Sequence, residues 1–171
     1  ECFISEDFDG FVYKVETDGK PFSCNVSIKR KQDAYSACIA PDTIIMNGRI
    51  TYNTHHYYGE GGEGMSFGAE LKVKTDGELS ADHSTITITD ATYAVVYSAF
   101  ETNYNVEKYD IDESINFKAK LNSTIERLSN TAYEEIKVNH ISSHKEKFEN
   151  VEFTLPESEI SALPTNQRLK E

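Results

Sequence analysis

Met65-Ser66-Phe67-Gly68-Ala69-Glu70-Leu71-Lys72-Val73-Lys74-Thr75 is the stretch that sets the fold class. Phe67, Ala69, Leu71 and Val73 fall on one side of an extended chain, and Glu70, Lys72 and Lys74 on the other. A period of two with one charged side predicts a half-buried antiparallel strand. Asp76-Gly77 turns this strand into Glu78-Leu79-Ser80-Ala81. Thr85-Ile86-Thr87-Ile88-Thr89 alternates again, and Asp90-Ala91 leads into Tyr93 to Phe100.

The same signal runs upstream. Phe11 to Glu16 is apolar-rich, and Thr17-Asp18-Gly19-Lys20-Pro21 supplies turn chemistry. Phe22, Cys24, Val26 and Ile28 then share one face of a strand that ends at Lys29. Thr43 to Met46, Asn47-Gly48 and Arg49 to Tyr52 predict a two-residue hairpin, because both turn positions tolerate positive φ. About eight or nine short strands joined by such turns predict a mostly β chain, an antiparallel β-sandwich over residues 1–104.

Near residue 105 the period changes. Ile111, Ile115, Leu121, Ile125 and Leu128 recur at helical spacing behind Asp110…Glu113, which resembles a capping box. Thr131-Ala132-Tyr133-Glu134 resembles a second one. It opens a helix with Tyr133, Ile136, His140, Ile141, His144 and Phe148 toward one side. Two helices are therefore expected over 105–150. Val151 to Leu155 is expected as a short strand, and Pro156 to Glu171 as an extended, poorly anchored end.

Composition removes some function classes. The 171 residues carry 17 Lys+Arg and 29 Asp+Glu, a net charge of −12. That balance argues against nucleic acid and anionic membrane as partners, since both demand basic faces. The charge is spread, with −7 over residues 1–100 and −5 over 101–171, so no acidic tail stands apart. Cys2, Cys24 and Cys38 form no C-x-x-C pair and read as free thiols. The opening Glu1-Cys2-Phe3-Ile4, without Met or a basic leader, reads as the interior of a longer protein.

Gly59-Glu60-Gly61-Gly62-Glu63-Gly64 fits G-x-G-x-x-G, yet a strand follows it where a dinucleotide site needs a helix N-terminus. It reads as an inter-strand loop. His55, His56, Tyr57 and Tyr58 precede it and are the candidate substrate-binding residues, able from a loop to stack a sugar ring or bind a metal. Adjacent histidines on a strand point to opposite faces, so they are not expected to share a metal ion. His140 and His144 share a helix face, but Ile141-Ser142-Ser143 between them lacks the H-E-x-x-H glutamate, and a packed face is the expectation. Asn25-Val26-Ser27 and Asn122-Ser123-Thr124 fit the N-glycosylation pattern. No nucleophile elbow or Walker motif occurs, and no metal, cofactor or catalytic residue is assigned.

The run Tyr133-Glu134-Glu135-Ile136-Lys137-Val138-Asn139-His140-Ile141 to Phe148 resembles the linker helix of glycoside hydrolase family 95, the α-L-fucosidases. Leu163-Pro164-Thr165-Asn166-Gln167-Arg168-Leu169 resembles the Leu-Pro-Thr-Asp-x-Arg-Leu signature that follows it, with Asn at the usual Asp position. The Gly-rich loop and the strand from Met65, Thr85 to Ala91, the Val95-Val96 strand and Glu1 to Ser5 resemble strands of the family's N-terminal domain. Glu149-Asn150 departs from the basic residue often found before the short strand. The resemblance implies the later part of a super-sandwich plus two linker helices, with an (α/α)6 catalytic barrel beyond Glu171 as its partner. It implies inverting hydrolysis of terminal α-L-fucosyl linkages on fucosylated glycans by that barrel, which holds the catalytic groups. A bacterial source is expected, with a secreted or cell-associated place favoured over the cytoplasm. The alternatives are an α-L-galactosidase, a stand-alone carbohydrate-binding or cell-surface module using Tyr52, Tyr57 and Tyr58, or a structural sandwich without ligand.

Overall fold

The computed structural model describes residues 1–51, 63–154 and 160–169. Strands β1 (Cys2–Ser5), β2 (Gly10–Glu16), β3 (Phe22–Ser27), β4 (Ala34–Ala40), β5 (Thr43–Thr51), β6 (Glu63–Thr75), β7 (Glu78–Asp82), β8 (Thr85–Ala91) and β9 (Tyr93–Thr102) form two antiparallel sheets. The larger has the order β1-β2-β9-β6-β5-β4, and the smaller β3-β8-β7. A two-stranded ribbon, β10 (Tyr104–Asn105) with β11 (Asp110–Ile111), leads to helices α1 (Phe117–Asn130) and α2 (Tyr133–Phe148). None of the described helices is long and apolar enough to cross a membrane.

Three layers result, a mostly β sandwich followed by helices. Alternation in β6 works as expected: Phe67, Ala69, Leu71 and Val73 are buried toward the small sheet, where Ile86 and Ile88 of β8 meet them. The opposite face of the large sheet is also apolar on β2 and β9. Val12, Val95, Tyr97 and Ala99 pack there under Leu121, Ile125 and Leu128 of α1 and Ile136 of α2. The large sheet is thus covered by strands on one face and helices on the other.

Several expectations are corrected. Asn47-Gly48 is no turn: β5 runs straight through it, pairing Gly48 with Ala34 of β4 and with Phe67 of β6. The reversal falls at Pro41-Asp42 instead. Gly48 meets a packing need, since a Cβ there would land on the Phe67 ring and the Asp33 carbonyl.

Asp110 to Glu113 starts no helix. Asp112 accepts from Ser114 N–H (3.1 Å), Lys108 Nζ (2.8 Å) and Asn105 Nδ2 (3.2 Å), closing the β10–β11 ribbon. These bonds hold its carboxyl far below the usual carboxylate range, the Lys108 contact contributing most. The cap of α1 is Asn116, whose side chain accepts from Ala119 N–H at 3.1 Å. Thr131 closes α1 by donating to the Arg127 carbonyl, and α2 has Ala132 at its N-cap position with no side-chain cap.

Residues 151–154 form no strand, and Val151 and Phe153 are exposed. Pro164 caps a short turn of helix, α3 (Thr165–Arg168), where an extended tail was expected.

Candidate functional site

His55, His56, Tyr57 and Tyr58 lie outside the described residues, as does Tyr52. The segment that carries them joins β5 to β6, whose Thr51 and Glu63 are paired at its base. His140 and His144 are described. His140 stacks on Phe3 of β1 with ring centroids 4.7 Å apart, and His144 stacks on Phe148 at 5.6 Å. His140 therefore packs the N-terminal half of α2 on β1, whereas His144 is exposed and its ring contacts lie within α2. Among the described residues no three His, Cys, Asp or Glu side chains converge as metal ligation would need.

Among the described residues an apolar concavity lies between the two sheets. It has a volume of about 540 Å³ and opens beside β3. Its floor is the β2–β9 part of the large sheet: Phe11, Tyr13 and Val15 from β2, and Val96, Ser98 and Phe100 from β9. Its wall is β3, through Phe22, Cys24 and Val26. The volume lies within the range of small-molecule sites. Its lining carries no carboxylate, imidazole, ammonium or guanidinium, and burial pushes the Cys24 thiol up. Such walls bury apolar groups. They are poorly equipped to move a proton near neutral pH.

Sequence reasoning found the β3 face but missed the floor. The signal was present in Gly10-Phe11-Val12-Tyr13-Lys14-Val15, where both registers of the strand are apolar. A strand apolar on both sides belongs to a sheet covered on both sides.

A second cluster joins α2 to β1 by charge. Glu1 accepts from Tyr133 Oη at 2.5 Å and from Lys137 Nζ at 2.7 Å, while Lys14 Nζ lies 4.7 Å from the Tyr133 ring centroid. The hydrogen bonds from Lys137 and then Tyr133 pull the Glu1 carboxyl from 4.5 down to about 2. A lowered native value means stability that is present above the unfolded value and is lost as pH falls from about 4.5 toward 2. Lys137→Met removes the main cause, so acid loss in that window shrinks relative to the parent. Urea midpoints followed from about pH 6 to about pH 2.5 check this. Equal acid slopes in the two proteins would refute the linkage.

No family model and no curated protein matches the chain. Site chemistry and element order therefore carry the functional reading.

Proposed function

We propose that this chain is a non-catalytic sandwich-and-linker portion of a glycoside hydrolase resembling the inverting α-L-fucosidases. In that role it supports a catalytic barrel carried elsewhere in the protein and meets fucosylated glycans only through that barrel. The observation that supports this reading most is the order of elements. A two-sheet sandwich is followed by two helices, with α1 lying across the back of its larger sheet and α2 against its edge strand, and then by Leu163-Pro164-Thr165.

The chain alone should release no fucose from an aryl α-L-fucoside, and the parent reading frame should encode a helical barrel. Turnover well above blank, or a frame without such a barrel, would sink the proposal. The binding-module reading gains one observation, the aromatic floor of the cleft, where Tyr13 and Phe100 are exposed. Titration with fucosylated oligosaccharides separates the two. Saturable binding by the isolated chain favours the module, and silence favours the scaffold.

A further inference from the structure

Among the described residues the small sheet has three strands and the large sheet six, and the mismatch falls on one side. β7 and β8 pack over β4 and β5, so β3 is the last strand of cover before the face of β2 and β1. Beyond it the large sheet still presents apolar side chains on that face. Phe11 sits opposite Ile4 in the β1–β2 pair, and Tyr13 and Phe100 lie on the same floor. Ile4 is 67%, Tyr13 45% and Phe100 59% exposed. A contiguous apolar strip of this kind marks an interaction surface.

β3 is also an edge strand. It pairs only with β8 among the described residues, so its outer row of N–H and C=O groups has no ladder partner. Such an edge templates another strand. An added strand would satisfy the β3 backbone and, with alternate side chains pointing down, fill the cleft over β2. A small apolar molecule would satisfy the cleft and leave the backbone row unpaired.

Charge narrows the occupant further. Between Gly19 and Gln32 the chain has four basic residues, Lys20, Lys29, Arg30 and Lys31, and no acidic one, although its net charge is −12. They flank both ends of β3. Lys20, Lys29 and Lys31 make no ion pair among the described residues. Two copies pairing antiparallel through β3 would set Lys29 to Lys31 of one beside Lys20 of the other, a like-charge contact.

We propose that the β3 edge and the cleft beside it form a strand-addition site, which takes an extended polypeptide segment with alternating apolar side chains and acidic residues at its ends. This is recognition by β-augmentation, in which main-chain bonds give affinity and the cleft and flanking charges give selectivity. The inference does not depend on the glycosidase reading.

The test uses the full chain and synthetic peptides of about eight residues, the length that runs along β3. One alternates valine and threonine between paired glutamates; the control carries paired lysines instead. Amide hydrogen exchange reads the β3 backbone, and alkylation mapped by mass spectrometry reads Cys24 in the cleft wall. The glutamate peptide should slow exchange at Phe22–Ser27 and shield Cys24 together. The lysine peptide should bind at least about tenfold more weakly, a gap that narrows in high salt. Phe100→Glu, at a position already largely exposed, should abolish the shielding while circular dichroism shows the fold retained.

Three results would overturn the proposal. One is shielding of Cys24 without slowed exchange in β3, which would assign the cleft to a small apolar ligand. Another is β3 protection that rises with protein concentration in the absence of peptide, which would assign the edge to a second copy. The third is no protection at millimolar peptide.

Discussion

Gly48→Ala should destabilise the chain by about 3 kcal/mol or more. The new Cβ would fall on the Phe67 ring and on the carbonyl oxygen of Asp33. A ring can tilt. The carbonyl cannot follow easily, because it accepts from Arg49 N–H at 3.1 Å and belongs to a residue already held at φ +61°. Asp33 is fixed from its side chain too, where Thr51 Oγ1 donates to Oδ1 at 2.5 Å. Urea unfolding should therefore show a lower midpoint at unchanged slope. Adding Phe67→Leu to make room should not restore the midpoint. A loss below about 1 kcal/mol, or full rescue by the second change, would show that the Asp33 backbone yields.

Leu128→Ala should cost about 2 to 5 kcal/mol, as expected for a leucine with no exposed surface between a helix and a sheet. The cavity it leaves lies against Gly10 of β2, where a Cβ would run into the end of the Leu128 side chain and approach the Ser98 carbonyl to 3.3 Å. Gly10→Ala alone should cost about 1 to 3 kcal/mol by overpacking. Combined, the two changes should cost less than their sum by about 1 kcal/mol, since the added methyl enters the space that the leucine vacates. Strict additivity would mean that α1 and β2 do not share this contact.

Glycine carries much of what the sequence concealed. Asn47-Gly48 spelled a hairpin, and the turn chemistry behind that expectation is sound. The residue is there for a different reason, the close approach of β6 and the β3–β4 connection, which only three-dimensional neighbours reveal. Strand β4 went unread for a related cause. Ala34-Tyr35-Ser36-Ala37-Cys38-Ile39-Ala40 alternates weakly because it is an edge strand with half-covered faces. β6, β8 and β9 were legible since each buries one full side. α1 was legible in its core positions Leu121, Ile125 and Leu128, but not at its start, where Asp112 draws nearby donors into a ribbon instead of capping a helix. The cleft was half legible. Its β3 wall follows from alternation, while its floor depends on β2 and β9 being neighbours, a pairing between residues about eighty apart that no local pattern announces.

That pairing has a consequence for how the molecule assembles. β9 is the last sandwich strand along the chain, yet it sits in the interior of the large sheet, between β2 and β6. Until it is in place, the β1–β2 hairpin has no bond to the rest of the sheet, while β4, β5 and β6 can already form a meander. Folding should therefore be slow for the chain's size, limited by one long loop closure rather than by local hairpins. During synthesis the β1–β2 hairpin must wait, apolar on both sides, until residues near 100 have emerged.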